Sequence, residues 1–426
     1  MGDDWGIIYE KKSLFDNPRF LKEIFFLPTI KHGLREALYH YYTITSETSY
    51  RPLNTLSYFI DYKIWGMRPW GFHLTNILFH CGNVSLLYLL ASAISGYWLF
   101  GFLSGLLFAV HPFGSETVGV VSFREDLMAL FFILLSCLIL FKYLNTQKKG
   151  LCYLGLSFIF YMFAILCKEN SVVSWAVYFY LIMALGNKLN TRRGAVLFLI
   201  SGGVVGLVFT WMRWMYNPPG AINPLVSNFK TWIYTLGDVF GNYIFYIMIP
   251  WHFKFYFPWQ YIPPSGLNLG VLVHIVGVLV AVFGGIYVFL RSSAKELKFG
   301  FVWMTTFFIP LCFVQYLPSL QAARYLYIPG AGAVMVIAWV FHQGLKEKKY
   351  RFLTAVMFSS YLIYLGIINR REMVRWENDV VFYEIQKEEF PDSWRVHKKY
   401  GDFLLSLNYV NLALKEYTNA LSLIHI

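Results

Sequence analysis

Long apolar runs recur along most of this 426-residue sequence and constrain its fold more than any other feature. A helix that spans a membrane needs about 20 mostly apolar residues. Runs of about that length lie at 74–93, 97–112, 127–144, 151–167, 170–187, 194–214, 268–290, 298–315, 325–343 and 351–369. Hydrophobic residues make up 57% of the chain and charged residues 14%, whereas soluble domains carry roughly 25% charged residues. The composition excludes a disordered chain, a soluble enzyme and a disulfide scaffold. It predicts an all-α, polytopic membrane helical bundle of about 10–12 spans.

The net charge of +12 does not predict nucleic-acid binding, because the basic residues divide among short loops instead of forming one stripe. In membrane proteins, Lys and Arg collect in cytoplasmic loops. They do so here in the loops at 142–149, 188–193, 291–298 and 346–351. The loops at 112–126, 168–170, 215–267 and 316–324 are then expected on the other side, together with residues 1–73 and the tail from residue 370.

This orientation divides the chain into an extracytoplasmic first loop at 1–73, a transmembrane bundle at 74–369 and an extracytoplasmic helical tail at 370–426. The run at 228–250 does not fit as a further span, since two crossings already join the cytoplasmic loops on either side of it. We expect it to be interfacial, re-entrant or a hairpin on the far side. The first loop has no span before it to export it, so we also expect a missing first helix.

The tail has the residue spacing of a tetratricopeptide repeat at Tyr400, Gly401, Leu404, Ala413, Tyr417 and Ala420. One repeat cannot bury its own face, so more repeats are expected in the intact protein. An ordinary amphipathic helical hairpin is the alternative. Residues 421–426 (LSLIHI) are also what a transposon end used in sequencing libraries encodes when it is read through, so we expect them to be foreign.

Charged residues in so apolar a chain are candidates for function when they flank spans on one face. The far-side loops hold such a set, with polar and aromatic neighbours: Asp3, Asp4, Arg51, His111, Glu116, Arg124, Glu125, Asp126, Lys168, Arg324 and Tyr327. A carboxylate can accept the proton of an attacking hydroxyl, and arginine offers two donors to a phosphate that leaves. The set therefore indicates transfer of a group from a phosphate to a hydroxyl.

Several of these residues also have a structural interpretation. The acidic pair near the N-terminus can be ordinary, and His111 can simply end a helix before a proline. The run at 124–126 fits a solvated loop or a helix cap, and Lys168 fits a local ion pair of little energy. Arg324 is harder to explain in this way, because it lies between two apolar spans beside tyrosines.

No cofactor is predicted, although a divalent metal stays open as an alternative. Oxygen ligands for Mg²⁺ or Mn²⁺ would be available if Asp3, Asp4, Glu116, Glu125 and Asp126 converge. Carboxylates that face Arg and Lys need no metal, however. The five cysteines lie in or at the edge of apolar runs, which argues against a thiolate site or a disulfide framework.

The segments that carry the candidate residues resemble one family when they are taken in order. They read GDDWGIIYEKKSLFDNP, SYRPLNTLSYFIDYKIWG, FHLTNILFH, LLFAVHPFGSETVGVVSFREDLMA, LCKEN, RWMYNPPGAINP and ARYLYIPGAG, followed by the repeat-like tail. The chain is similar to the transmembrane and tetratricopeptide-repeat-containing O-mannosyltransferases and their prokaryotic relatives, within the type-C glycosyltransferase superfamily. The resemblance implies a multi-span helical bundle with a catalytic first extracytoplasmic loop, which uses a polyprenyl-phosphate-linked sugar and no nucleotide sugar.

The resemblance also implies roles for individual residues. Asp3 or Asp4 matches the family's catalytic acidic pair, the run at 124–126 its basic-acidic loop, and Arg324 the arginine that faces the lipid phosphate. An acidic residue often precedes that arginine, but this sequence has Ala323 there. The helix that normally precedes the acidic pair is absent from this sequence.

The sequence therefore predicts a membrane glycosyltransferase, in a prokaryotic inner or plasma membrane. It would transfer mannose or a similar hexose, by inverting chemistry, to a protein Ser or Thr or to another glycan or lipid hydroxyl, and its tail would be available to bind the acceptor protein. A transporter or flippase of lipid-linked sugars predicts ionisable residues near span midplanes and similar halves, which we do not find in the sequence. A membrane-anchored scaffold would need only one or two spans.

Overall fold

The computed structural model describes residues 15–16, 51–145, 150–185, 189–216, 229–251, 269–316 and 321–424. Within these ranges the chain is helical and contains no strand, which confirms the predicted all-α class. Asp3 and Asp4 lie outside the described residues, as does most of the predicted first loop. The other candidate site residues all lie inside them.

The helices follow one another through short connections. In chain order they are α1 (Pro52–Trp65), α2 (Pro69–Ser95), α3 (Trp98–Val110), α4 (Gly114–Gly119), α5 (Arg124–Asn145), α6 (Gly150–Cys167), α7 (Trp175–Leu185), α8 (Leu189–Tyr216), α9 (Phe229–Met248), α10 (Leu269–Arg291), α11 (Lys295–Phe308), α12 (Tyr327–Lys346), α13 (Arg351–Val374), α14 (Asp379–Glu389), α15 (Trp394–Ser406) and α16 (Val410–Ile424). Short 3₁₀ turns occupy Val121–Phe123, Glu169–Ser174, Ile309–Tyr316 and Ala323–Leu326. Proline begins α1 and α2, where its missing N–H costs nothing.

The bundle has one continuous apolar core, with Leu134, Tyr178 and Val334 among its fully buried members. Small residues allow a close helix contact where α11 meets α12. A Cβ on Gly332 would lie 2.5 Å from the carbonyl oxygen of Gly300. Helices within lipid associate in this way, by close backbone approach at small residues, because lipid is as apolar as the side chains it would replace.

The outer surface of the bundle is apolar as well. Leu207 and Leu290 are both 73% exposed, and Phe352 is 82% exposed. Six described helical segments are long and apolar enough to cross a membrane, namely Pro69–Ser95, Val121–Asn145, Leu269–Arg291, Lys295–Phe313, Ala323–Lys346 and Arg351–Val374. Exposed apolar side chains on such helices suit contact with lipid. The chain is an integral, multi-pass membrane protein.

Two predicted runs differ from the helices that they form. The run at 97–112 becomes α3, which has only 13 residues and ends before Pro112, since proline cannot continue a helix. The run at 170–187 opens with a 3₁₀ turn through Ser174, and α7 begins at Trp175. Serine side chains offer the backbone alternative hydrogen bonds, which delays the start of a regular helix.

The run at 228–250 forms α9, which contacts connections at one end of the bundle. Trp232 Nε1 donates a hydrogen bond to the carbonyl oxygen of Cys312 at 3.3 Å. The hydroxyl oxygen of Tyr243 accepts one from the Ala322 N–H at 3.2 Å. Among the described helices, α9 is not one of those long and apolar enough to span. That this segment does not cross the membrane stays a prediction.

The tail consists of α14, α15 and α16. The last two helices pair closely, because a Cβ on Gly401 would lie 2.7 Å from the Tyr417 ring. Ala413 and Ala420 are buried beside them. A tetratricopeptide repeat and an ordinary amphipathic hairpin share this packing, so the repeat stays a prediction.

Candidate functional site

Six of the candidate residues meet at one end of the bundle, where ion pairs join them with a seventh, Glu169. The charged cluster consists of Arg51, Glu116, Glu125, Asp126, Lys168, Glu169 and Arg324. Each member lies in a turn or at the start of a helix, so residues far apart in sequence converge. Arg324 and Asp126 are close enough to interact electrostatically, which links the two halves of the cluster.

Glu116, from α4, holds Arg324 in a fixed orientation. Its carboxylate accepts hydrogen bonds from Arg324 Nη1 at 2.5 Å and from the Arg324 backbone N–H at 2.9 Å. The guanidinium carbon lies 4.2 Å from the centre of the Phe123 ring and 5.0 Å from that of Tyr325. The Glu116 side chain is 1% exposed, whereas that of Arg324 is 14% exposed. The guanidinium is therefore oriented from inside and still reachable from outside.

One edge of the Arg324 guanidinium is open. Its Nε and Nη2 make no hydrogen bond with any residue in the described part of the chain. Arginine carries five N–H donors in a planar fork, and two parallel donors on one edge match the oxygens of a carboxylate or phosphate. The open edge is thus a ready site for an anion.

The other half of the charged cluster joins α1, α5 and the turn after α6. Lys168 Nζ donates to Asp126 Oδ2 at 2.6 Å and lies 3.9 Å from Glu125 Oε1. Arg51 donates to both carboxylate oxygens of Glu169, at 3.0 and 3.1 Å, and to Glu125 Oε1 at 2.9 Å. Buried charges are costly unless they are paired in this way. These pairs hold three elements together next to Arg324.

The balance of charge within the cluster is slightly negative. Three cations face four carboxylates, so the formal charge is −1. Arg51 and Lys168 each contact two of these carboxylates. Arg324 is paired on one edge alone among the described residues. Attraction for an added anion therefore comes chiefly from Arg324.

Arg124 begins α5 but lies in a different environment. Its guanidinium is fully buried, and it donates to the side chains of Asn76 and Ser57 at 2.8 and 3.1 Å and to the Phe72 carbonyl oxygen at 2.8 Å. It also pairs with Asp61 at 2.6 Å. This arrangement favours a structural role that joins α1, α2 and α5. A phosphate contact, as predicted for Arg124, would require some of these bonds to break.

Asp61, which the sequence reasoning missed, completes that buried group. Thr75 donates to its Oδ1 at 2.7 Å, and Arg124 pairs with its Oδ2. Burial raises the pKa of Asp61 above its ordinary value, while Arg124 and Thr75 act in the opposite direction. The sequence did hold a signal, since Asp61 is the single carboxylate within the largely apolar helix α1.

His111 and Tyr327 lie in the packing next to the charged cluster. Nδ1 of His111 accepts a hydrogen bond from the Phe113 N–H at 3.2 Å, and Nε2 donates one to the Ile247 carbonyl oxygen at 3.0 Å. This pattern belongs to a neutral ring that ties the end of α3 to the end of α9. Tyr327 is fully buried, and its hydroxyl bonds to Nδ1 of His80 at 2.8 Å.

A further ionisable pair, also missed by the sequence reasoning, links α9 and α10. Nδ1 of His274 and Oδ1 of Asp238 are 2.8 Å apart. Gly241 lets the helices approach, since the His274 side chain packs directly against it. His274 lies in the second turn of α10, about 7–8 Å along the axis from its first residue. The pair therefore lies toward one end of α10 but at the middle of α9, where Asp238 is the tenth of 20 residues.

No group of three or more His, Cys, Asp or Glu side chains that could hold a metal ion occurs among the described residues. Glu116, Glu125 and Asp126 are paired with basic side chains. Asp3 and Asp4, the other ligands considered for a metal, lie outside the described residues.

The fold and the site define a polytopic helical membrane protein with a charged cluster, open to an anion, at one end of its bundle. No family model and no solved structure matches the chain. Curated proteins do match. The Xenopus laevis protein O-mannosyl-transferase tmtc2 is 32% identical over 41% of this chain and 23% of its own length. Human TMTC4 is 25% identical over 88% of this chain and 58% of its own length.

A third relative, protein O-mannosyl-transferase F38B6.6 of Caenorhabditis elegans, is 23% identical over 89% of this chain and 54% of its own length. The chain is thus a homologue of the TMTC protein O-mannosyl-transferases, which confirms the resemblance that its motifs carry. It spans 23–58% of the length of these three relatives.

Proposed function

We propose that this chain is the membrane part of a glycosyltransferase that moves mannose, or a similar hexose, from a polyprenyl-phosphate-linked donor to a hydroxyl acceptor. The acceptor is a Ser or Thr of a protein, and transfer occurs on the extracytoplasmic side. The observation that carries the proposal is the open edge of Arg324 at the end of a lipid-facing bundle. The relatives' names, which specify O-mannosyl transfer by a protein, support it.

The chemistry inverts the anomeric carbon of the sugar. The acceptor hydroxyl attacks this carbon from the face opposite the phosphate, and the new C–O bond forms as the bond from that carbon to the phosphate oxygen breaks. The phosphate oxygen keeps the electron pair, and the carboxylate of Asp3 or Asp4 takes the hydroxyl proton. The leaving polyprenyl phosphate gains one negative charge. Arg324 stabilises that charge through the two donors on its open edge.

The remaining members of the charged cluster position this arginine and the turns around it. Glu116 orients the guanidinium through two hydrogen bonds. Lys168 and Arg51 neutralise the carboxylates of α5 and hold α1 against the turn after α6. The helical tail lies next to this end of the bundle and would present the acceptor protein.

The proposal is tested by sugar transfer in the full-length protein, with polyprenyl-phosphate mannose as donor and a Ser/Thr-rich peptide as acceptor. Asp3→Asn combined with Asp4→Asn removes both possible bases, and we expect transfer to be lost. Arg324→Lys keeps the charge but loses the two-donor edge, and we expect a large fall in kcat/KM. Arg351→Lys is the matched control, because Arg351 is exposed at the far end of the bundle, after α12.

Each variant can contradict the proposal separately. Undiminished transfer in the double aspartate variant rejects the base assignment. Undiminished transfer in Arg324→Lys rejects the role in phosphate binding. Movement of a labelled lipid-linked sugar across vesicles that contain the protein, with no transfer to the peptide, would instead favour a flippase.

A further inference from the structure

The start of the tail reaches back to the turn that carries Glu116. Trp376 follows α13 and packs against Gly119, the last residue of α4. A Cβ on Gly119 would lie 3.1 Å from the Cβ of Trp376, which is tight for any side chain. Glu116 lies in the same six-residue helix. The tail therefore bears directly on the element that orients Arg324.

The first helix of the tail, α14, bears on the other turn. Phe382 packs against Ala322, which is fully buried, and Tyr325 packs against the small cluster that these two residues form. These two residues flank the turn residues Ala323 and Arg324. The Tyr325 ring centre lies 5.0 Å from the guanidinium carbon of Arg324. A shift of Phe382 would therefore disturb the packing of Ala322 and Tyr325, the residues on either side of Ala323 and Arg324.

Trp376 and Phe382 form one unit. Their rings stack with centres 5.3 Å apart and planes at 30°. The chain between and beyond them is fixed, because Arg375 donates two hydrogen bonds to Glu389, at 2.6 and 2.7 Å, and Asn378 caps α14 with its side chain. We call this unit, Trp376 with Phe382, the tail clamp.

We propose that the tail clamp positions Arg324: it presses the α4 turn and the Arg324 turn together and so sets the direction of the open guanidinium edge. Glu116 and Arg324 are 208 residues apart in sequence, so nothing in the local chain fixes one turn relative to the other. Displacement of a substrate-binding group by about 1 Å can cost about 100-fold in rate. The effect on transfer rests on the proposed function, whereas the effect on the direction of Arg324 does not.

The test measures how fast phenylglyoxal, an arginine-selective reagent, modifies Arg324 in the full-length protein in detergent, with each arginine followed by mass spectrometry. Phe382→Ala removes the ring that packs against Ala322 and completes the cluster on which Tyr325 packs. We expect it to raise the Arg324 modification rate by about threefold or more, because the turn loses packing and the guanidinium is held less firmly between Phe123 and Tyr325. Phe382→Tyr keeps the ring and should restore the wild-type rate.

The matched control is Phe403→Ala. Phe382 and Phe403 both pack on the Tyr383 ring, whose centre lies 5.4 Å from that of Phe382 and 5.3 Å from that of Phe403. Phe403 is in α15, one helix further from the bundle. We expect Phe403→Ala to leave the Arg324 rate unchanged. Equal Arg324 rates in the two alanine variants would overturn the proposal.

A second pair of variants covers the case in which Phe382→Ala unfolds. Arg124 is fully buried, so its modification reports loss of the bundle itself. If Arg124 becomes reactive in Phe382→Ala, the tail clamp is tested with Gly119→Ala instead. The added Cβ would press on Trp376 and so disturb the clamp from its other side. Gly114→Ala, in the same helix, is its control, since a Cβ there has only ordinary contacts from 3.7 Å outward. Identical Arg324 rates in the two glycine variants would then reject the clamp.

Transfer assays separate this proposal from the proposed function. We expect Phe382→Ala to lower kcat/KM for the polyprenyl-phosphate donor by about tenfold, through kcat more than through KM, because the leaving phosphate carries more charge than the bound donor. A changed Arg324 rate with no transfer even by the wild type would leave the clamp standing and reject the glycosyltransferase. An unchanged Arg324 modification rate in Phe382→Ala, together with normal transfer by the wild type, would reject the tail clamp and leave the glycosyltransferase proposal standing.

Discussion

Arg124 begins α5 and Arg324 lies in the turn before α12, at the same end of the bundle, yet their surroundings differ completely. The Arg124 side chain is 0% exposed and bonds to groups from α1 and α2. The Arg324 side chain is 14% exposed, and its described hydrogen bonds all go to Glu116. Arginine therefore joins buried helices at position 124 and offers an open guanidinium edge at position 324. The two arginines differ in how many of their guanidinium nitrogens have a hydrogen-bond partner, more than in charge or position.

The largest effect is expected at Arg124, and it concerns stability. Arg124→Lys keeps the charge, but three ammonium donors cannot reach the acceptors on Asn76, Ser57, Phe72 and Asp61 that the guanidinium serves. Buried acceptors left without a donor cost about 1–3 kcal/mol each, so we expect the free energy of unfolding to fall by about 3 kcal/mol. Chemical unfolding in detergent, followed by tryptophan fluorescence, measures this. If Arg124→Lys loses transfer but keeps the wild-type free energy of unfolding, Arg124 is functional and the contrast with Arg324 is wrong.

The matched substitution at Arg324 should have the opposite signature. Arg324→Lys keeps a positive charge beside Glu116, and the backbone N–H of residue 324 still bonds to that carboxylate, so we expect the free energy of unfolding to fall by only about 1 kcal/mol. Transfer should fall about 100-fold, or about 2.7 kcal/mol in transition-state stabilisation, because the two-donor edge is lost. Steady-state kinetics with the polyprenyl-phosphate donor measures the fall in transfer, and the same unfolding assay measures the change in stability. A stability loss as large as that of Arg124→Lys would show that both arginines are structural.

Glu116→Gln sharpens the comparison by loosening the open arginine without removing it. The amide oxygen can still accept one hydrogen bond, but the second bond and the charge are lost. We expect kcat/KM to fall about tenfold, or about 1.4 kcal/mol, with little change in the unfolding midpoint. Glu347→Gln, at an exposed position after α12, is the control and should behave as wild type. A Glu116→Gln variant with wild-type kinetics would mean that Glu116 does not orient Arg324.

The smallest effect is expected in the tail, where Glu416 of α16 pairs with His397 and Lys387. Burial acts to raise the pKa of Glu416, but the hydrogen bonds from His397 and Lys387 outweigh it and lower the pKa below its ordinary value of 4.5. The unfolded tail therefore takes up a proton at a higher pH than the folded tail does. The pair stabilises the tail above pH 4.5, and this contribution is lost as the pH falls through the folded-state value.

Hydrogen exchange of the backbone amides in α15 and α16 between pH 6 and pH 3 would report this loss, after correction for the intrinsic rates. Glu416→Gln removes the titrating group, so its protection should not depend on pH in this window. Exchange that depends on pH equally in both proteins would contradict the assignment to Glu416.

Much of this arrangement could be predicted because it follows from the order of spans and loops. Once alternating loops are assigned to one side by their Lys and Arg content, Arg51, Glu116, Lys168 and Arg324 must lie at one end of the bundle. The contacts of the charged cluster agree with that placement. The catalytic and phosphate-binding roles given to these residues remain predictions, and so does the pairing of Asp3 or Asp4 with them.

The difference between the two arginines could not be predicted, because it depends on partners from distant parts of the chain. Arg124 meets Asn76, Phe72 and Ser57 across 48, 52 and 67 residues. All three are common residue types in unremarkable positions of the sequence. Which donors are saturated is decided by how α1 and α2 pack on α5, and no local spacing records that packing. The pair formed by Asp238 and His274 was missed for the same reason.

The brevity of α3 has a consequence for the backbone that follows it. Its 13 residues rise about 20 Å, whereas the hydrocarbon core of a bilayer is about 30 Å thick. By contrast, α5 and α12 begin beside the charged cluster and have 22 and 20 residues, which rise about 33 and 30 Å, enough to cross that core. The turn at His111 and the short helix α4 therefore take the place of the last part of a regular span. Irregular backbone of this kind is tolerated within a membrane only where protein covers it, and residues 111–117 are all buried.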